Sequence, residues 1–370
     1  MSSFVYRSIG MMSGTSLDGV DAALIETDGV EVLRRGHALS LPYPASLRRD
    51  IYALFDRAAA LQGDEPDLLA AEQALTDLHV EAVRQILAEE GAADLVGFHG
   101  QTLYHAPELG RTWQIGDATS LSRQTGLPVI HDFRRDDVAH GGEGAPLAPW
   151  YHAACLAQEA GPVAILNIGG VANVTFVGRD GAVLAGDTGP GNALLDDWAL
   201  RHTGIAYDRD GALAREGTVD AARLRALLSH PFFDRPPPKS LDRQAFATAL
   251  DVLAPLSAQD GAATLVAFTV QAIARTALPE PPRAWFVCGG GRHNPALMQA
   301  LAQAVPGEVS PVEVLGWNGD MVEAECFGFL AVRSLRGLPL SAPGITGAPG
   351  FFTGGRLSCV GIRPELLVRG

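Results

Sequence analysis

Apolar residues fall along this chain in short runs broken by glycine turns, and the stretch from Val5 to Leu41 sets the theme. An apolar strand leads into a turn at Gly14-Thr15-Ser16, and a second strand runs through Val20-Asp21-Ala22-Ala23-Leu24-Ile25. Asp28-Gly29 then turns the chain into a third strand. The stretch from Val163 to Asp187 has the same layout: a strand Val163-Ala164-Ile165-Leu166, a turn at Gly169-Gly170, a strand from Val171 to Val177, a turn at Asp180-Gly181 and a strand Ala182-Val183-Leu184-Ala185. Asp-Gly between apolar runs is a strong hairpin signal, because glycine adopts the positive φ that a tight turn needs.

The likeness continues downstream. Helical periodicity from His79 to Glu90 puts Val80, Val83, Ile86 and Leu87 on one face, and a buried strand Leu95-Val96-Gly97-Phe98 ends in His99-Gly100-Gln101-Thr102. Later come a helix around Thr264–Thr276 and a strand Ala284-Trp285-Phe286-Val287 that ends in Cys288-Gly289-Gly290-Gly291. Each half closes with a further strand and an acidic residue, Val129-Ile130-His131-Asp132 early and Val312-Glu313-Val314-Leu315 before Asp320 late. A meander followed by alternating helices and strands, used twice, predicts a duplicated α/β domain with glycine-rich strand ends facing a cleft. The expected division is residues 1–135, joined by part of the C-terminal tail, and residues 136–370 with insertions. Two unrelated α/β domains with matching strand counts are the alternative.

Composition narrows the class. At 370 residues and 47% hydrophobic, the chain is long enough for two cores. A net charge of −14 argues against a nucleic-acid binder, whose phosphate contacts need Lys and Arg. It does not argue against ATP, which backbone N–H groups and Mg²⁺ can hold. Ser2 and Ser3 lead into an apolar run ending at Gly10, too short for a secretory core or a span, so a cytoplasmic protein without membrane partners is expected. Cys155, Cys288, Cys326 and Cys359 have neither CxxC nor zinc spacing and read as thiols in a reducing compartment. No histidine belongs to a metal motif, and His202, His230 and His293 read as structural or solvated.

Five stretches carry candidate chemistry. Gly14-Thr15-Ser16-Leu17-Asp18-Gly19-Val20-Asp21 joins two strands with glycines, hydroxyls and successive N–H groups suited to an anion, and Asp18 could sit beside phosphate-bound Mg²⁺. No Gly-Lys-Ser/Thr follows, so it is not a Walker loop, and a plain hairpin turn explains it equally well. Asn167-Ile168-Gly169-Gly170-Val171-Ala172-Asn173 occupies the equivalent turn of the second half. Asp187, in Gly186-Asp187-Thr188-Gly189-Pro190-Gly191-Asn192, either faces the cleft or begins a turn. Gly289, Gly290 and Gly291 before Asn294 either receive the flat face of adenosine or form a flexible strand-to-helix turn. Glu323 stands near the start of a helix read from Asp320 to Ala331, where it either contacts substrate or only complements the helix dipole.

The ordered motifs resemble the anhydro-N-acetylmuramic acid kinase family nearly end to end. They are Gly10-Met11-Met12-Ser13-Gly14-Thr15-Ser16-Leu17-Asp18-Gly19, His99-Gly100-Gln101-Thr102, Asp132-Phe133-Arg134, Gly144-Ala145-Pro146-Leu147, Asn167-Ile168-Gly169-Gly170, the 187–192 run, Cys288-Gly289-Gly290-Gly291, Glu323-Ala324 and Thr346-Gly347-Ala348. The resemblance implies an α/β fold of two RNase H-like domains, of the actin/Hsp70/hexokinase type, flanking a nucleotide cleft. It implies a homodimer that uses ATP, Mg²⁺ and water to convert 1,6-anhydro-N-acetylmuramic acid into N-acetylmuramic acid 6-phosphate in murein recycling. Asp187 then matches the catalytic base, Glu323 a carboxylate near the sugar, Gly14 to Asp21 the ATP loop and Gly289 to Gly291 the adenosine side. Arg134, Asp137 and Asn173 are further candidates for substrate contacts. The sequence departs from the family pattern at Glu143, where Gln is usual, and at Leu241-Asp242 within Pro238-Lys239-Ser240-Leu241-Asp242-Arg243-Gln244. A levoglucosan kinase, a nucleotide-dependent switch of the same fold and an ATP-independent glycosidase using Asp187 and Glu323 are the competing readings.

Overall fold

A computed structural model describes residues 4–157, 159, 161–241, 246 and 248–361. Asp242, Arg243 and Gln244 of the divergent motif lie outside the described residues. The strands are β1 (Tyr6–Ser13), β2 (Gly19–Thr27), β3 (Val32–Pro42), β4 (Leu95–Ala106), β5 (Arg111–Ile115), β6 (Val129–His131), β7 (Val163–Ile168), β8 (Val171–Val177), β9 (Val183–Pro190), β10 (Ala284–Cys288), β11 (Glu308–Pro311) and β12 (Arg356–Ser358). The helices that matter here are α1 (Pro66–Glu90), α2 (Ala193–Thr203), α3 (Ala258–Ala274), α4 (Pro295–Ala304) and α5 (Val322–Leu335).

Two compact units emerge, one of residues 1–157 with 321–370 and one of residues 158–320. In the first unit the sheet runs β12-β6-β4-β1-β2-β3, with β5 beside β4. In the second it runs β11-β10-β7-β8-β9. The correspondence is strand by strand. β1 to β3 and β7 to β9 are antiparallel meanders. β4 and β6 extend the first sheet in parallel, and β10 and β11 extend the second. The duplication read from the hydrophobic pattern is therefore present in topology. The hairpins turn on Gly29 at φ 81° and Gly181 at φ 79°, values that suit glycine.

The division of the chain differs from the expected break at residue 135. Residues 136–157 stay with the first unit because Asp137 is bonded to Thr346 and Tyr151 to Glu325. Everything from Met321 onward joins that unit as well, because α5 lies on β1, β2 and β4. The expected strand Val312–Leu315 is instead a 3₁₀ turn, and the edge strand precedes it as β11, pairing Glu308 with Ala284. Pro311 ends that strand and Gly316, left-handed at φ 73°, ends the turn. Helix α1 begins at Pro66, well before His79, with proline in its first turn and Leu68, Ala71 and Leu75 extending the buried face.

The first core gathers Ile9, Met11, Leu24 and Phe98 from the sheet with Leu75, Val83 and Ile86 of α1. The second gathers Leu166, Val174 and Val287 with Trp198, Leu265 and Phe268. On its other face the first sheet receives α5 at backbone distance. A Cβ on Gly10 would stand 1.9 Å from the carbonyl oxygen of Ala324 and 2.3 Å from the nitrogen of Gly328. A Cβ on Gly97 would stand 2.1 Å from the carbonyl oxygen of Phe327. Glycine at these strand positions fixes how closely α5 approaches, and hence where its first turn, with Glu323, comes to rest. Among the described residues, no helix is long and apolar enough to cross a membrane.

Gly10→Ala should lower the unfolding free energy by about 3 kcal/mol, at the upper end of the usual cost of overpacking, because the obstruction is backbone. Urea denaturation followed by circular dichroism measures it, and an unchanged midpoint would contradict the packing described.

Candidate functional site

In the first unit the β1–β2 loop is tight and outward-facing. Leu17, buried at 3% exposure, takes a left-handed φ of 59° and donates its N–H to Gly14 O at 3.2 Å. That inward tuck leaves Thr15, Ser16 and Asp18 exposed beside the half-buried Gly14. The last residues of the expected loop belong to β2. Gly19 lies where a Cβ would come within 2.2 Å of Leu41 O, Val20 is in the core, and Asp21 accepts the Ser40 hydroxyl at 2.5 Å. Beneath the loop, Ser13 Oγ lies 3.1 Å from His79 Nε2, and His79 Nδ1 lies 2.8 Å from Leu75 O. A carbonyl only accepts, so Nδ1 carries the proton and the serine hydroxyl donates to Nε2. Burial pushes His79 down to about 4, against the opposing effect of the Leu75 bond, so the ring is neutral at physiological pH.

The same logic applies to His99 on β4. Its Nδ1 faces Gly100 O at 2.7 Å, and its Nε2 accepts from Arg134 Nε at 3.0 Å. Burial, then the Arg134 charge, holds His99 well below its usual range. It is thus a neutral acceptor that aims Arg134, whose Nη1 donates to Gly144 O at 2.7 Å. The guanidinium lies 5.9 Å from the centre of the Phe327 ring. Burial lowers the Arg134 pKa and Glu323 opposes that shift, so these two charges lie within electrostatic reach. Glu323 reaches solvent from the first turn of α5. Surrounding protein nevertheless raises its carboxyl pKa by desolvation, with Arg134 pulling it down and Asp21 pushing it up. The neighbouring Glu325 is buried, bonded to Arg35 Nε at 3.1 Å and to the Tyr151 hydroxyl.

Asp137, expected to contact substrate, is only 1% exposed. Its carboxylate accepts Gly144 N at 2.6 Å and the Thr346 hydroxyl at 2.5 Å, while Glu143 N donates to Thr346 O at 2.7 Å. It holds the 141–144 turn in shape and supports Arg134 through Gly144.

In the second unit three turns meet. Gly191 N donates to Gly170 O at 2.9 Å, Asn192 N to Gly169 O at 2.7 Å and Asn192 Nδ2 to Ile168 O at 3.1 Å. Gly289, at φ 75°, lies where a Cβ would stand 2.3 Å from Asn167 Oδ1, and one on Gly291 would stand 2.4 Å from Ile168 Cγ2. Two of these three glycines therefore serve close packing, and Gly290 alone is exposed. Asn294 caps α4 through Oδ1, which accepts Ala296 N at 3.0 Å and Leu297 N at 3.2 Å. Arg292, with a side chain only 4% exposed, braces the loop by donating to Gly289 O at 2.9 Å, Asp320 at 2.8 Å and Glu313 at 2.8 Å.

Asp187 sits on β9 opposite Asn173 of β8, which is itself opposite Asn167 of β7. Residues directly opposite in antiparallel strands share a face, so the three side chains form one polar row. Asp187 N donates to Lys239 O at 2.8 Å, and its Oδ2 accepts Leu241 N at 2.7 Å. Backbone donation of this kind favours the ionised carboxylate. Sequence reading passed over the bracing by His99, Arg292, Asn192 and Lys239. The motifs containing them were visible, but their partners are distant along the chain.

The family model described as anhydro-N-acetylmuramic acid kinase matches residues 6–357. A protein of that name from Acidiphilium cryptum (strain JF-5) is 56% identical over 352 residues, covering 95% of this chain and 98% of its own. One from Gluconobacter oxydans (strain 621H) is 57% identical over 350 residues, covering 92% and 96%. Among solved structures, a ROK family glucokinase from Streptomyces griseus in complex with glucose and AMPPNP aligns with a TM-score of 0.40 at 14% identity, covering 88% of this chain and 98% of that one.

The buried neutral His79 gives a pH prediction. Its folded pKa of about 4 lies below the ordinary 6.5, so between these values the unfolded chain binds the proton more readily. Its contribution is whole above pH 6.5 and is lost as pH falls towards 4. At pH 5 it should be smaller by about 2 kcal/mol than at pH 7, seen as a lower urea midpoint that His79→Gln makes less pH-dependent.

Proposed function

This chain belongs to the anhydro-N-acetylmuramic acid kinase family, and from that premise we propose that it uses ATP and water to open 1,6-anhydro-N-acetylmuramic acid and phosphorylate O6. The observation that carries the assignment of its base is the grip on Asp187, a half-buried carboxylate in a polar row, oriented at Oδ2 by Leu241 N–H at 2.7 Å. Asp187 takes a proton from the water whose oxygen attacks the anomeric carbon. The bond from that carbon to O6 breaks, and the O6 electron pair attacks the γ-phosphorus. The bond from that phosphorus to the bridging oxygen breaks and ADP leaves. The products are N-acetylmuramic acid 6-phosphate, ADP and the proton held by Asp187. Positioning and charge stabilisation account for most of the rate in such transfers.

Each unit offers groups suited to part of this task. In the first, Thr15 and Ser16 present hydroxyls on an exposed turn, a fit for phosphate oxygens. Arg134, held by neutral His99, supplies a fixed cation, and Glu323 a solvent-reaching carboxylate, for sugar recognition. In the second, Gly169 and Gly170 expose backbone without side-chain bulk, and Gly290 offers a flat surface for adenosine. Asn173, beside Asp187, is suited to bond a sugar hydroxyl. Among the described residues, no group of three or more metal-binding side chains occurs. Mg²⁺ bound with nucleotide takes most of its ligands from phosphate and water, and the exposed Asp18 fits that sparing requirement. The ion would neutralise phosphate charge there.

Asp187→Asn should lower kcat by about 10²–10⁴-fold while leaving ATP affinity near its original value. The test follows ADP release with 1,6-anhydro-N-acetylmuramic acid and with levoglucosan, alongside the appearance of a reducing sugar. One ADP per reducing end with the first sugar is expected. ADP release without a new reducing end would contradict the proposed ring opening.

A further inference from the structure

The chemistry above makes no use of Lys239, although burying its ammonium is costly. The residue is 3% exposed, and its Nζ donates to Phe232 O at 3.0 Å while lying 4.1 Å from the centre of the Phe232 ring. Phe232 belongs to a 3₁₀ turn, Pro231–Asp234, whose next residue Phe233 packs on Phe246 and Phe268 in the second core. That turn also backs onto β9, since a Cβ on Gly189 would stand 3.1 Å from the Phe233 ring. The ammonium is therefore fastened to a rigid part of the unit. Its own backbone touches the strand of the proposed base: Lys239 O accepts Asp187 N at 2.8 Å, and two residues on, Leu241 N donates to Asp187 Oδ2 at 2.7 Å. Gly186, just before the base, lies where a Cβ would meet Lys239 N at 3.0 Å and O at 3.2 Å, so the two segments run at backbone distance.

We infer that Lys239 is a positioning residue for Asp187: its side chain pins the 239–241 segment, and that segment's backbone grips the carboxylate. This rests on the assignment of Asp187 as the base. The charges that act on the ammonium are Arg235 and Asp234 from the adjoining turn and Asp187 from β9. Burial first, then Arg235, brings its pKa down to about 8, against the pull of the two carboxylates. The direct contacts of the cation run to the Phe232 carbonyl and the Phe232 ring. It is held by a carbonyl and a ring, an arrangement that fixes position rather than neutralising charge.

The inference separates anchoring from nucleotide binding. Lys239→Met keeps the length of the stem and removes the ammonium. It should lower kcat roughly 10- to 100-fold with KM for ATP changed less than about twofold, in keeping with loss of an orienting group. Loosening the Leu241 donor should also move the acid limb of the kcat–pH profile to higher pH, because the ionised carboxylate loses its partner. Lys239→Arg should recover most of kcat by reaching the same carbonyl and ring. A Lys239→Met enzyme with kcat within twofold of the parent overturns the inference. So does a parallel loss of kcat and ATP binding that arginine does not repair, which would mark a general scaffold role. Asp187→Asn run alongside distinguishes the two ideas: full turnover in that variant removes the base, whereas its inactivity together with an unimpaired Lys239→Met removes only the anchor.

Discussion

The first unit depends on a helix lying directly on strand backbone. Gly10 on β1 and Gly97 on β4 leave no side chain between the sheet and α5, and the carbonyls of Ala324 and Phe327 occupy the space a methyl group would need. Such contact gives up the apolar area that larger residues would bury, but it fixes distance more tightly than interdigitated side chains do. Because the contact falls within the first two turns of α5, it sets the position of Glu323 relative to the ends of β1 and β4. Buried residues around it complete the fixation. Glu325 is tied to Arg35 and Tyr151, and Phe327 packs between His99 and Phe133.

A second theme is the use of buried polar groups as supports. His79 and His99 are neutral acceptors, one beneath Ser13 and the other behind Arg134. Asp137 spends both oxygens on internal donors, and Asn294 does the same service for a helix end. In each case a buried or half-buried polar group holds its neighbour in place through a hydrogen bond. Arg292 plays the corresponding part behind the glycine turn of the second unit. Preorganisation of this kind keeps charged groups in place without relying on solvent or on mobile side chains.

Local chemistry was readable from sequence and distant contact was not. The Asp28-Gly29 and Asp180-Gly181 turns announce themselves because a short reversal favours a residue at positive φ, and both glycines have it. Periodicity marked the second half of α1 but not its start, where Leu69 is exposed and blurs the apolar face. Val312-Glu313-Val314-Leu315 alternates like a strand, yet Pro311 and Gly316 confine it to a single turn. The break at residue 135 was misplaced because Asp137 finds its partner 209 residues later, at Thr346. Motifs likewise pointed to Asp187, Arg134 and Glu323, while the groups that orient them had to be seen in three dimensions. The burial of Asp137 and the capping by Asn294 are properties of the fold that their motifs do not reveal.

The discontinuity of the first unit bears on the order in which the protein matures on the ribosome. Its meander and α1 leave the exit tunnel early, but the surface formed by Gly10 and Gly97 has no cover until Val322–Leu335 has been made. The intervening residues 158–320 contain their own sheet and core and can condense while synthesis continues. Nascent chains halted before α5 thus carry a finished lobe alongside an open one, and the opposite sheet face is exposed to chaperones or to aggregation for the whole of that interval.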